Sequence, residues 1–126
     1  EIKHIDMAEE KIEKDRVLTI VSTQPEQHKA TLYSIFMLQK KKDKNKDWIF
    51  TGEIYEVYKS VCSRINFNIL TQRRISDILA EFDMLGVINA KIISKGRYGR
   101  TREISLPLDK NLILKLKEIL EKSLQL

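Results

Sequence analysis

Apolar residues recur at intervals of three and four positions along four stretches of the chain, the spacing of a helix with one buried face. The predicted helices cover residues 25–42, 51–65, 71–86 and 109–124. Pro25, Thr51, Thr71 and Asp109 mark their starts, and Gly86 is the expected left-handed C-cap of the third. The residues predicted to be buried are, helix by helix, Ala30, Leu32, Ile35, Phe36, Leu38 and Gln39; Ile54, Val57, Tyr58, Val61, Cys62 and Ile65; Ile75, Ile78, Leu79, Phe82 and Leu85; Leu112, Ile113, Leu116, Ile119, Leu120 and Leu124.

The pattern changes after Gly86, where the chain becomes rich in β-branched residues. Val87–Ile93 predicts a short strand, residues 94–100 predict a turn, and Thr101–Leu106 alternates polar and apolar positions like a returning strand. Trp48–Phe50 is short and aromatic-rich and could pair as a brief strand. Helices followed by a hairpin in this order predict a mainly α fold with a small β-hairpin, a winged helix-turn-helix.

The two ends of the chain carry further helical patterns. Residues 1–15 are highly charged, with a thin apolar stripe of Ile2, Ile5 and Ile12, which is typical of a connector. We therefore expect three parts: an N-terminal connector helix and linker over residues 1–24, a winged-helix domain over 25–107, and a C-terminal helix over 108–126 that packs on it.

Composition excludes several classes of protein. The 126 residues contain neither an apolar run that could span a bilayer nor a signal-peptide pattern, and they begin with Glu1, so we expect a cytoplasmic fragment of a longer protein. Cys62 has no partner for an internal disulfide, and His4 and His28 alone cannot form a zinc site. No nucleophile with a nearby base can be assembled, so the chain is not expected to be an enzyme. His28 and Cys62 are interpreted as incidental surface and core residues.

Positive charge is concentrated at the predicted hairpin. The net charge is +5, and the twelve residues 91–102 contain five basic residues and no acidic one. Glycines let the turn lie close to a sugar-phosphate surface, and a tyrosine ring stands among the cations, so the turn is a candidate contact with nucleic acid. Its alternative is a solvated turn that is basic for solubility. The candidate contact residues are Lys95, Gly96, Arg97, Tyr98, Arg100 and Arg102.

A second set of candidates lies at the start of the third predicted helix. If Ile75 points into the core, Arg73 points away from it, with Gln72, Arg74 and Ser76 on the flanks. Arginine can donate twice to guanine, glutamine can pair with adenine, and the free N–H groups that follow Thr71 can bind a phosphate. The alternative is surface ion pairing of the arginines with Asp77 or Glu81. The lysine run at 40–46, interrupted by acidic residues, is typical of a solvated loop.

Four segments together resemble the C-terminal winged-helix domain of archaeal origin-recognition and cell-division-control initiators. They are Ile20–Pro25, Thr51–Tyr58, Leu70–Gly86 and Ser94–Arg102. The resemblance covers about residues 17–107, whereas residues 38–46 form a longer and more lysine-rich loop than the family suggests. It implies a parent protein with an AAA+ ATPase module that binds double-stranded origin DNA, associates with the nucleoid, and acts with the replicative helicase and other initiator copies.

The resemblance also implies roles for individual residues. The third helix of the winged helix would enter the major groove through Thr71, Gln72, Arg73 and Arg74, and the wing, Lys95 to Arg100, would contact the backbone or minor groove. ATP and Mg²⁺ would be cofactors only of the AAA+ module. This chain contains no G-x-x-x-x-G-K-[ST] loop, so it is expected to bind no cofactor itself.

Two other functions remain open from the sequence. The winged helix could be a protein-interaction module, or it could belong to a transcription regulator that dimerises through the leucine-rich segment 112–124. As an initiator domain, by contrast, the isolated chain is expected to be monomeric. The amount of DNA that it binds and its molar mass in solution separate these alternatives.

Overall fold

Five helices and three strands make up the described part of the chain, which in this computed structural model comprises residues 2–41, 49–94 and 100–126. In chain order the elements are α1 (Ile2–Ser22), α2 (Glu26–Lys41), β1 (Ile49–Phe50), α3 (Thr51–Ile65), α4 (Gln72–Met84), β2 (Asn89–Ser94), β3 (Arg100–Ser105) and α5 (Lys110–Leu124). No helix in these ranges combines the length and the apolar character needed to cross a membrane.

Helix α2 lies at the centre of the fold, packed against α3, α4 and α5. Every residue from 30 to 36 is buried, so the prediction of a single buried face was wrong. The polar members of this segment, Thr31 and Ser34, donate their hydroxyl hydrogen bonds to the carbonyls of Gln27 (2.9 Å) and Ala30 (2.8 Å) within the helix. Because their polar groups are satisfied locally, both residues can face a covered side of the helix.

The predicted start of α3 was wrong by one residue. The N-cap is Phe50, whose extended backbone belongs to β1, and Thr51 is the first helical residue. Glu53 Oε1 accepts a hydrogen bond from the Phe50 N–H at 3.1 Å, so the glutamate supplies the capping contact. Strand β1 therefore runs directly into the helix, and Thr51 is buried instead of capping.

The boundaries of α4 follow the predicted signals. Thr71 is its N-cap, and Gly86 adopts a positive φ of 76° beyond its end. The N–H of Val87 reaches back to the carbonyl of Phe82 at 3.0 Å, which closes the helix end as in a Schellman motif. Leu85 was predicted in the buried stripe but is 36% exposed, because it lies in the cap where the helix has already ended.

The strands form one antiparallel sheet in the order β1-β3-β2. In the hairpin, β2 pairs with β3 from Asn89 opposite Ser105 to Ser94 opposite Arg100. The short strand β1 pairs with the other edge of β3. Ile104 at the centre is fully buried, opposite both Ile49 and Ala90. Three helices followed by this winged sheet confirm the predicted mainly α, winged helix-turn-helix fold.

The two terminal helices pack against each other and extend the core. Helix α1 continues to Ser22, beyond the predicted end at residue 15, and Val17 and Val21 are fully buried. The predicted leucine stripe of α5, at positions 112, 116, 120 and 124, is buried within this same chain. The segment proposed for a dimerising regulator is therefore already covered by the protein's own helices.

Asp109 gives the fold a testable pH dependence. Its Oδ1 accepts from the Leu112 N–H at 2.8 Å, and this bond, with Lys14 Nζ 3.5 Å from Oδ2, lowers the pKa of the carboxyl. Since the folded pKa lies below the unfolded value of about 3.9, this stabilisation is present above that pH and is lost as the pH falls through the folded pKa. Asp109→Asn keeps an acceptor but cannot titrate.

We expect the wild-type protein to lose more of its free energy of unfolding than Asp109→Asn between about pH 6 and pH 3. Urea unfolding of both proteins at the two pH values measures the difference. Equal losses in the two proteins would show that the cap does not contribute to the acid sensitivity.

Candidate nucleic-acid interface

The first turn of α4 presents unsatisfied backbone donors next to positive side chains. Thr71 Oγ1 accepts a hydrogen bond from the Arg74 N–H at 3.2 Å, and the Thr71 carbonyl accepts from Ile75 at 3.1 Å. The N–H groups of Gln72 and Arg73 find no acceptor among the described residues. A helix start of this kind attracts an anion because its free donors and its dipole point the same way.

The predicted outward face of α4 is exposed. Gln72, Arg73 and Arg74 are exposed and Ser76 is half-buried, while Ile75 on the other side is fully buried. Within the described ranges, no carboxylate oxygen lies within ion-pair distance of either arginine, so the alternative of surface ion pairing is not observed. Both guanidinium groups are therefore available to an external anion or base edge.

Glu81, one of the carboxylates considered for such pairing, instead lies 2.5 Å from the Nε2 atom of His28. The His28 side chain is 12% exposed, and its ring stands edge-on to Phe82 at 5.9 Å. The interpretation of His28 as an incidental surface residue was wrong, because it joins α2 to α4. Cys62 is a core residue as expected, and burial raises the pKa of its thiol.

A groove of about 260 Å³ separates α4 from the sheet. Arg102 enters it from β3, directly opposite Ile92 on β2, and Gln72 and Ser76 face it from the helix. The structure thus brings three of the predicted contact residues together, with a guanidinium on one wall and two neutral polar side chains on the other. The lining residues are Thr51, Gln72, Ser76, Ile92, Thr101 and Arg102.

The groove contains two residues that sequence reasoning did not assign to the site. Ile92 is 57% exposed although it is a large apolar side chain, and the Thr51 hydroxyl is buried with no hydrogen-bond partner. The strand alternation could have identified Ile92, because the hairpin register puts it beside Arg102. Nothing local in the sequence places Thr51 there, since its position depends on how α3 meets the sheet.

The tip of the wing lies outside the described residues. This applies to Lys95, Gly96, Arg97 and Tyr98, and only the backbone of Arg100, paired with Ser94, is described. The contacts predicted for these five residues stay predictions. In the described part of the chain, no group of three His, Cys, Asp or Glu side chains could hold a metal ion.

Comparison with known proteins gives consistent matches. The family model described as "CDC6, C terminal winged helix domain" matches residues 19–116. The "ORC1-type DNA replication protein 1" of Methanosarcina mazei is 52% identical over 104 residues, which are 82% of this chain and 25% of that protein. The "ORC1-type DNA replication protein" of Pyrococcus abyssi is 50% identical over 104 residues, 82% of this chain and 24% of that protein. The chain spans about a quarter of the length of these relatives.

Two solved structures share the fold. The chain matches the structure of the Aeropyrum pernix ORC1 protein in complex with DNA with a TM-score of 0.81 and 39% identity, over 95% of this chain and 30% of that one. The crystal structure of CDC6P from Pyrobaculum aerophilum matches with a TM-score of 0.68 at 17% identity, over 86% of this chain and 26% of that one. The second match concerns the fold alone.

Proposed function

The chain belongs to the family of CDC6 C-terminal winged helix domains, found in replication initiators, and from that premise we propose that it binds double-stranded DNA at replication origins. One observation carries the proposal. At the start of α4, the N–H groups of Gln72 and Arg73 and the side chains of Arg73 and Arg74 have no partner among the described residues, and Gln72 lines a groove whose opposite wall carries Arg102. The similar Aeropyrum pernix protein, whose structure is a complex with DNA, supports the same interpretation.

In this proposal α4 is the recognition helix and lies in the major groove. Arg73 reads a base edge with the two parallel donors of its guanidinium, and Gln72 and Arg74 contact an adjacent base or phosphate. Thr71 holds the first turn in place, so that its free N–H groups bind a phosphate. Ser76 and Arg102 contact the DNA strand that lies in the protein groove between α4 and the sheet.

The wing binds the flanking DNA in a different way. Lys95, Arg97 and Arg100 contribute phosphate contacts, Gly96 allows a close backbone approach, and the Tyr98 ring packs against the sugar-phosphate surface or enters the minor groove. Contacts of this kind position the protein and give affinity without reading the sequence directly. The wing therefore accounts for much of the salt dependence of binding, and α4 for its sequence preference.

For the longer protein we propose a division of labour. Residues 25–107 bind DNA, residues 1–24 connect them to an AAA+ module that uses ATP and Mg²⁺, and residues 108–126 pack on the winged helix and support its fold. The burial of the α5 leucines supports the last assignment. The nucleoid-associated parent protein would act with other initiator copies and support loading of the replicative helicase.

Removing two wing arginines tests the proposed function. In a salt series, Arg97→Ala/Arg100→Ala is expected to weaken binding to any duplex and to flatten the slope of log K against log salt by about 2, since each phosphate contact contributes about 0.9. The measurement is fluorescence anisotropy with a labelled duplex.

The matched control removes the same charge from α5. Lys115→Ala/Lys122→Ala changes two exposed lysines on a helix that packs against α1 and α2, and it is expected to leave the slope unchanged. Equal slopes for the wing variant and the wild type would contradict the wing contacts. If the salt slope changed equally in the wing and control variants, the change would come from the lost net charge and not from contacts of the wing.

A further inference from the structure

The turn that joins α3 to α4 is largely exposed. Its residues, 66–71, are exposed except for Phe67 and Leu70, which are half-buried, and Ile69 is 48% exposed. Asn66 starts the turn in the left-handed conformation, with a φ of 58°. Phe67 and Leu70 pack against the core, whereas the other four residues of this segment, which leads directly into the first turn of α4, are exposed.

Polar side chains of α2 and α3 fix the backbone of this turn. Gln27, on α2, uses both ends of its amide: Nε2 donates to the carbonyl of Asn68 at 2.8 Å, and Oε1 accepts from the Tyr58 hydroxyl at 2.5 Å. Because both amide groups are engaged, the side chain of Gln27 is held in a single orientation.

Two tyrosines of α3 complete the network at Leu70. The Leu70 N–H donates to the Tyr58 hydroxyl at 3.1 Å, and the Leu70 carbonyl accepts from the Tyr55 hydroxyl at 2.9 Å. The two rings stack with centroids 6.0 Å apart. Both backbone groups of the residue just before the N-cap Thr71 are thus bound by side chains.

We propose that Gln27, Tyr55 and Tyr58 are positioning residues for DNA recognition, which fix the turn so that the start of α4 meets the DNA in one geometry. This inference rests on the proposed function. None of the three side chains needs to touch DNA, since they act through the backbone of Asn68 and Leu70.

The physical effect is on the population of the binding-competent turn. Burial raises the pKa of Tyr58 to about 12, so its hydroxyl stays protonated and donates to Gln27 while it accepts from Leu70. Without that hydroxyl the Leu70 N–H and the Gln27 Oε1 lose their partner, and the turn adopts other positions. Affinity then falls in proportion to the fraction that remains competent.

The test compares two variants that each remove one buried tyrosine hydroxyl. Tyr58→Phe removes the centre of the network. Tyr33→Phe removes a hydroxyl that donates to Glu121 Oε2 at 3.3 Å and links α2 to α5, away from the turn. Both are measured by anisotropy on the same duplex, at a temperature where circular dichroism shows each protein folded, and by hydrogen exchange of the Leu70 amide.

We expect Tyr58→Phe to bind the duplex about fivefold to tenfold more weakly than the wild type, with an unchanged salt slope and faster hydrogen exchange of the Leu70 amide. Tyr33→Phe is expected to match the wild type in affinity, salt slope and exchange rate. If the wild type binds DNA and the two variants have equal affinities, the inference is overturned and the proposed function stands. If the wild type binds no DNA, the proposed function fails and the inference falls with it, whatever the exchange rates.

Discussion

Replacement of Phe82 by alanine is expected to lower the free energy of unfolding by about 3–5 kcal/mol, the cost of removing a buried aromatic ring and leaving a cavity. Phe82 is fully buried on the inner face of α4, and its ring contacts His28 of α2 edge-on. The same change loosens the packing of α4 on the core. This effect exceeds that of any surface change in the chain because most surface substitutions stay within about 0.5 kcal/mol.

Met84→Ala is the matched control for this prediction. Met84 lies two positions further along the same helix and is 87% exposed, so its truncation creates no cavity. Urea unfolding of the two variants and the wild type gives the comparison, with the slope against urea as a check that the unfolding transition is unchanged. A difference of less than about 1 kcal/mol between the two variants would show that Phe82 does not pack as described.

Arg73→Ala is expected to lose affinity for a preferred duplex by about 5-fold to 150-fold, the loss of one two-donor base contact, and to lose much less for random DNA. The reason is geometric. Arg73 is exposed at the start of α4 and free of ion pairs in the described structure, so it can present its planar group to a base edge. The preferred duplex is obtained by selection with the wild-type protein from a random pool.

Arg73→Lys separates base reading from simple attraction. Lysine keeps the charge but lacks the planar fork of donors, so it should retain the salt slope and lose most of the preference for the selected duplex. Competition between selected and random duplexes is measured for the wild type, Arg73→Ala and Arg73→Lys. It gives, for each protein, the ratio of its affinity for the selected duplex to its affinity for random DNA. A selected-to-random ratio that stays at the wild-type value in Arg73→Ala would show that other residues read the sequence.

Local signals in the sequence predicted most of the helix boundaries. Thr71 and Asp109 cap α4 and α5 because a cap is a contact between a side chain and a backbone group three residues away. Thr51 has the same sequence signal but is not an N-cap. Ile49 and Phe50 pair with Ile104 and Glu103 from far along the chain, so the cap position falls on Phe50. A pairing of that range is not encoded in the neighbouring residues.

The same distinction applies to the candidate site. Helical phase alone predicted that Arg73 would be exposed and Ile75 buried, and the structure confirms both. The groove lined by Arg102 and Gln72 could not be predicted from the sequence, because it depends on the register of the sheet and on the distance of the sheet from α4. The hydrogen bond from Gln27 to the carbonyl of Asn68 could not be predicted either, because it depends on the three-dimensional position of α2.

The measurement that tests the central claim most directly is the binding of the wild-type chain to a labelled duplex across a salt series. The account predicts saturable binding, with log K falling linearly with log salt and a slope of about −0.9 for each phosphate contacted. Binding that does not change with salt, or no binding at low salt, would contradict a DNA-binding role for this domain and favour a winged helix that docks a protein partner.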